Sequence, residues 1–268
     1  MQTVDLSIYA LCWALLLLVL PISFSFFFGL HLIRRLLYAV ARMSIQLVLI
    51  GLFLNYLFVW NNPWINMAWF LFMIVVAVFS VIKSSELCFS KLFVPTLLSF
   101  SAATLMVVFY LNSMVISLTD IFDARYLIVV GGMLLGNSLR GNILGISTFY
   151  TRIKNDRERY LLCLSFGATR YEALIPYLRE SIQLALKPTL AAMITMGIVS
   201  LPGMMTGVIL GGASPGVAIK YQIMILIAII VSTMTSVIFT LLLTMHLCFD
   251  RYGLLTKNLF RNDSTGQL

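Results

Sequence analysis

The chain has 268 residues, of which 61% are hydrophobic and only 10% charged, with a formal net charge of +8 and a mean hydropathy of +1.00. Water-soluble domains carry roughly a quarter charged residues, so a soluble fold is excluded. The apolar residues fall in successive blocks of about twenty, the length that crosses roughly 30 Å of hydrocarbon. The pattern predicts an all-α polytopic membrane protein of seven spans forming a single domain over 1–268.

The first span covers about 6–30. It is longer than a signal-peptide core and has neither a basic stretch before it nor a small-residue cleavage pattern after it, so it is expected to remain in the mature protein. Arg34, Arg35 and Arg42 follow it, and the second span covers about 36–59. Trp60-Asn61-Asn62-Pro63-Trp64 reads as a turn at the membrane–water boundary, where tryptophan is favoured. The third span, about 64–82, is followed by Lys83 and Lys91. The fourth, about 92–116, leads into a connection carrying Asp120 and Asp123, and the fifth covers about 126–148.

The stretch 151–187 is different, because it concentrates charge over nearly forty residues. It predicts a cytoplasmic helical hairpin. A first helix from about Asn155 to Phe166 is stopped by Gly167. A second begins at Thr169, with Glu172 at the spacing of a capping box. Leu174, Leu178, Ile182 and Ala185 form an apolar stripe on that second helix, suited to headgroups or to a soluble partner.

The sixth span, about 188–211, contains Pro202 with Gly203, Gly207 and Gly211 spaced by four. Proline removes a donor and clashes with the preceding turn, so this span should bend or open near Ile198. The glycines make one smooth face, suited to a hinge or to close packing against another helix. Gly212-Ala213-Ser214-Pro215-Gly216 is a tight hairpin into the seventh span, about 217–248.

Seven spans place sixteen of the eighteen Lys and Arg residues on one side, Arg140 among them, and leave only Arg125 and Lys220 on the other. The positive-inside rule then puts the amino terminus outside and the carboxyl terminus in the cytoplasm. Topology accounts for the net charge, and no nucleic-acid partner is implied. The cysteines (Cys12, Cys88, Cys163, Cys248) lack paired spacing, and His31 and His246 stand near span ends. No metal-binding cluster is visible, and no metal ligands are assigned.

No glycine-rich nucleotide loop, HExxH or nucleophile elbow is present, so no catalytic residue and no cofactor of its own are expected. All ten acidic residues fall in loops, tails or span edges. Ion-driven pumps need a buried ionisable group, and energy for uphill transport should therefore come from another polypeptide. For a pathway, the polar and thioether candidates are Gln46, Asn137, Met196, Ser200, Met204, Met205, Tyr221 and Gln222. Thioethers suit soft metals such as Cu(I) better than iron, and methionine also fills apolar cores.

The run from Gly197 through Pro202-Gly203-Met204-Met205-Thr206-Gly207 to Ile209-Leu210-Gly211-Gly212-Ala213-Ser214-Pro215, then Ala218-Ile219-Lys220-Tyr221-Gln222-Ile223, resembles the signature of the FetB-type iron-export permeases. Leu164-Ser165-Phe166-Gly167-Ala168-Thr169, Arg179-Glu180-Ser181-Ile182, Arg42-Met43-Ser44-Ile45-Gln46-Leu47 and Gly131-Gly132-Met133-Leu134-Leu135-Gly136-Asn137 are also similar to segments of that family. The resemblance implies the permease of an ATP-binding cassette transporter in a bacterial plasma (inner) membrane. Two copies would pair with two separate ATPase subunits that hold ATP and Mg. It further implies that Leu164, Phe166, Gly167, Ala168, Thr169, Arg170 and Glu172 form a coupling helix docked on the ATPase. Leu161-Leu162-Cys163 stands where import-type permeases carry Glu-Ala-Ala. The alternatives are an ion-coupled metal transporter or channel, and a membrane scaffold that transports nothing.

Overall fold

The computed structural model describes residues 7–85, 87, 89–117, 120–250 and 253–255. Asp5, Glu86, Cys88, Arg251, Lys257, Arg261 and Asp263 lie outside the described residues. The helices are α1 (Ile8–Leu16), α2 (Val19–Phe27), α3 (Ile33–Trp60), α4 (Pro63–Ser84), α5 (Phe89–Tyr110), α6 (Ala124–Asn155), α7 (Arg157–Ser165), α8 (Arg170–Thr195), α9 (Gly203–Leu210) and α10 (Pro215–Cys248). A π-helical turn, Leu111–Val115, extends α5. The chain is an all-helical polytopic membrane protein.

Among the described residues six stretches are long and apolar enough to cross a membrane, against seven expected. The missing one is the sixth. Its first part is the end of α8, which runs on through Pro188 to Thr195. Seven residues without helix follow, and the second part is the eight-residue α9. Two local constraints open the helix. Gly197 sits at φ +86, a left-handed conformation that glycine adopts without penalty. Pro202 drives the residue before it out of the helical region and caps the start of α9. The expected bend is therefore a full interruption, and Pro202 begins a helix instead of kinking one.

The first span is also divided, at Leu17–Leu18. Pro21 has no N–H for the Leu17 carbonyl and its ring crowds that group. The chain responds with tighter bonds, Leu17 N–H to Ala14 O at 3.2 Å and Leu18 N–H to Leu15 O at 3.0 Å.

The core lies among α4, α5, α6, α8 and α10, around Phe70, Ile74, Phe100, Leu134, Phe149, Leu174 and Leu241. Helices α6 and α10 meet along a polar seam. Ser138 and Ser232 hydroxyls lie 3.2 Å apart, and the Asn142 amide donates to Ser236 Oγ at 2.8 Å. Three glycines of α6 make the close approaches possible: a methyl group at Gly131 would collide with Phe70, one at Gly141 with Thr233, and one at Gly145 would come within 3.0 Å of Val237.

At the expected outer end, Asn61 adopts φ +37 after α3, a conformation asparagine tolerates. Its side chain accepts from the Ala124 N–H at 3.0 Å and from the Asn66 amide at 3.1 Å, tying three helices together. Helix α3 packs on the bundle only through this end, where Phe53, Leu54, Leu57 and Phe58 meet Ala124 and Ile128. Many large apolar side chains along the rest of it, Tyr38, Met43, Ile45, Leu47, Val48 and Leu52 among them, are exposed.

The hairpin has the predicted helices and turn, but its stripe faces inward. Leu174 and Ala185 are buried, and Leu178 and Ile182 pack against the core. They belong to the bundle and are offered neither to headgroups nor to a soluble partner. Helix α6 also continues past the expected end of the fifth span to Asn155, so hairpin and spans share continuous helices.

Candidate functional site

The interruption after Thr195 opens a cavity of about 400 Å³ between α6, α8, α9 and α10. Four of the predicted pathway residues meet there: Asn137, Met196, Met204 and Gln222. Pro202 also lines it. The other four are elsewhere. Gln46 lies in an apolar lateral groove between α3, α4 and α6. Ser200 is exposed in the interruption, and Met205 is half-buried on α9 away from the cavity. Tyr221 is half-buried and lies against Tyr126 at the start of α6.

Gln222 is the most constrained polar group. It is 8% exposed. Its amide nitrogen meets the Met196 sulfur at 3.9 Å, a weak acceptor, and its oxygen Oε1 has no hydrogen-bond partner. A buried, unpaired amide oxygen is costly, and this one is closed off from the open part of the cavity. Met196 stands at the end of α8, in an extended conformation.

The start of α9 also contributes. No side chain caps it, and the first bond back to Pro202 O comes from the Thr206 N–H at 3.0 Å. The N–H groups of Gly203, Met204 and Met205 are the unpaired donors that every helix start leaves.

Two polar cavity residues, Arg140 and Thr189, were missed. Arg140 is counted by topology among the cytoplasmic charges, yet it sits inside α6 on the cavity wall. Its place was available from helical spacing, since Asn137, Arg140, Gly141 and Leu144 share a face. Arg140 has no ion-pair or hydrogen-bond partner among the described residues. No Asp, Glu, His or Cys lines the cavity, and the described residues contain no group of three or more such side chains that could hold a metal. A resident metal does not fit this donor set.

The predicted hinge glycines are uncovered. A methyl group at Gly203 or Gly207 would meet nothing within 4 Å, and one at Gly211 only carbonyls of its own helix. Within this chain they make no close helix contact. That role belongs to Gly131, Gly141 and Gly145.

The hairpin turn is built as the sequence suggests. Gly167 N–H donates to Leu164 O at 3.0 Å and Ala168 N–H to Cys163 O at 3.1 Å, the bond pair that closes a helix through a left-handed glycine, here at φ +88. Thr169 N–H and hydroxyl both donate to Glu172 Oε2, at 2.8 and 2.7 Å, and the Glu172 N–H returns to Thr169 Oγ1 at 3.3 Å. Phe166 projects from the tip, 83% exposed. Leu164 and Arg170 are half-buried behind it. Tyr160 donates its hydroxyl to Gly253 O at 2.7 Å, fastening the segment after α10 to α7. Burial pushes that hydroxyl above its usual range.

The Thr169 hydrogen bonds hold the Glu172 carboxyl below its ordinary value. A depressed carboxyl favours the folded hairpin fully above the unfolded value, and the effect is lost as pH falls through the folded one. Amide exchange at the start of α8 should therefore be slow at neutral pH and accelerate below the carboxylate range. Glu172→Gln should flatten that acid dependence.

A family model described as "Uncharacterised protein family (UPF0014)" matches residues 8–249. The "Probable iron export permease protein FetB" of Escherichia coli is 32% identical over 244 residues, covering 91% of this chain and 93% of that protein. The "UPF0014 membrane protein YjkA" of Bacillus subtilis is 30% identical over 246 residues, 90% of this chain and 94% of its own. The "Protein ALUMINUM SENSITIVE 3" of Arabidopsis thaliana is 33% identical over 214 residues, 80% of this chain and 77% of its own. No solved structure matches. The chain belongs to the UPF0014 family.

Proposed function

We propose that this UPF0014 member is the membrane subunit of an ATP-binding cassette exporter whose cargo contains iron, driven by a separate ATPase that binds ATP and Mg. Helix α8 is the observation that supports the reading best. It starts at the hairpin turn and ends at the cavity, one helix of 26 residues, about 39 Å long at 1.5 Å per residue. A displacement of Gly167 and its neighbours by a docked ATPase would reach Met196 without an intervening loop. The seven-residue interruption before α9 would then let the cavity open to alternate sides. The absence of any acidic or histidine side chain from the cavity wall favours an external energy source over ion coupling.

In this reading the carboxyl terminus and the hairpin are cytoplasmic, the amino terminus is outside, and the membrane is the bacterial plasma membrane. The permease works as a homodimer, with the uncovered Gly203, Gly207 and Gly211 face as a candidate seam. Iron as cargo is carried over from the FetB relative. Reconstitution tests it. Vesicles holding this chain and the ATPase should move iron only with ATP, and vesicles lacking the ATPase should move none. Uphill movement by the permease alone would favour an ion-coupled transporter instead.

A further inference from the structure

A groove of about 950 Å³ runs between α5 and α10, on a different face of α10 from the one that lines the cavity. Val107, Leu111 and Ala228 are buried at its floor, while Ile223, Ile227 and Val231 are exposed along its side. Apart from one lysine, its lining residues carry only two polar groups, the hydroxyls of Tyr110 and Thr235. Water would find few partners there, and an empty groove would forfeit dispersion contacts. Hydrocarbon is the filling that suits it.

The lysine gives the groove a polarity. Lys220 is the one charged side chain on its wall. It is exposed and has no ion-pair or hydrogen-bond partner among the described residues. It stands in the second turn of α10, a helix of 34 residues and so about 51 Å long. That exceeds the roughly 30 Å of a hydrocarbon core, which puts the first turns of α10 within reach of the headgroups. A lysine stem there lies along apolar surface and carries its ammonium to the polar boundary. From Lys220 to Val231 the helix rises about 16 Å, close to the depth of one leaflet.

Charge also separates the possible occupants. A second copy docked about a two-fold axis would set this patch against itself, bringing two lysines together with no carboxylate on the groove wall to offset them. A lipid of net negative charge meets the same lysine with attraction.

We propose that the groove between α5 and α10 binds an anionic phospholipid, with an acyl chain over Val107, Leu111 and Ala228 and the headgroup phosphate beside the Lys220 ammonium. This site is independent of the cargo and of its driving energy.

Photolabelling of the purified full-length permease in phosphatidylcholine vesicles tests it. The probes are phosphatidylglycerol and phosphatidylcholine, each with a diazirine in one acyl chain, and labelled peptides are mapped by mass spectrometry. Phosphatidylglycerol should label the groove residues of α5 and α10 about fivefold more than phosphatidylcholine, the weight of one basic side chain beside an anionic headgroup. Lys220→Gln should remove that preference and Lys220→Arg should keep it, with label on α3 unchanged in both. Val231→Trp, which fills the groove, should lower the label from both lipids. Unchanged melting temperatures show that the variants are folded. Equal labelling by the two lipids in the wild type, or a preference unmoved by Lys220→Gln, overturns the proposal. Absence of lipid label from the groove overturns it too, and dimers of Ile227→Cys captured by a bismaleimide would then assign the face to a second copy.

Discussion

Gly167→Pro is expected to abolish ATP-driven transport, by at least a hundredfold, while the permease still inserts and folds. Proline is confined near φ −65°, whereas Gly167 occupies φ +88. Proline also deletes the N–H that closes the turn on Leu164 O. The turn must therefore rebuild. Phe166, 83% exposed at its tip, and Ala168 would leave the positions from which they could enter a partner. The damage stays local, since the apolar stripe of α8 from Leu174 onward is held by the bundle core. Co-purification of the ATPase with the tagged permease, beside the melting temperature of the permease alone, separates the outcomes. Lost association with an intact melt supports the coupling role. Retained association together with full transport refutes it, and Ala168→Arg provides a second test by adding bulk and charge at the same turn without altering the glycine.

The second large effect is on folding. Gly141→Leu should yield little or no monodisperse protein in detergent. A single methyl group at Gly141 already collides with Thr233 of α10 and comes within 3.7 Å of the Ala185 carbonyl of α8. Overpacking costs about 1–3 kcal/mol and sometimes more, set against a total stability of about 5–15 kcal/mol. Here three helices would have to separate, and the Asn142–Ser236 bond one residue along would be lost with them. Gly207→Leu is the control, since a Cβ added there has no neighbour within 4 Å. It should melt like the wild type and express any defect only in dimerisation or transport. Equal melting of Gly141→Leu and wild type would mean that the seam between α6 and α10 is looser than described.

Hydropathy and local chemistry made much of this molecule legible. The apolar blocks located six spanning helices because removal of twenty residues from water is a property of composition alone. The Thr169–Glu172 capping box and the Gly167 turn were readable because each is completed within six residues. Four cavity residues were found as polar or sulfur-bearing side chains in apolar runs. Arg140 was not, since its charge fits the positive-inside pattern equally well. Gln46 lies apart from these four, in the groove between α3, α4 and α6. Its amide stands out in α3, but that helix never reaches the cavity.

The prolines show most plainly what had to wait for the tertiary structure. Pro188 and Pro202 give the same local warning, yet α8 runs through the first and the chain is open for seven residues before the second. Pro188 is accommodated in a helix held against α6 and α10, and Gly197 at φ +86 lets the backbone leave the helix ahead of Pro202. The sequence by itself determined that the chain crosses the membrane several times, where its charged hairpin lies and how that hairpin turns. Packing alone decided that α8 joins the hairpin to the cavity, that Gly131, Gly141 and Gly145 of α6 are under close contact, and that Arg140 lines the cavity. The reason is one of range: composition and caps act within a few residues, whereas helix continuity and cavity walls depend on side chains brought together from α6, α8 and α10.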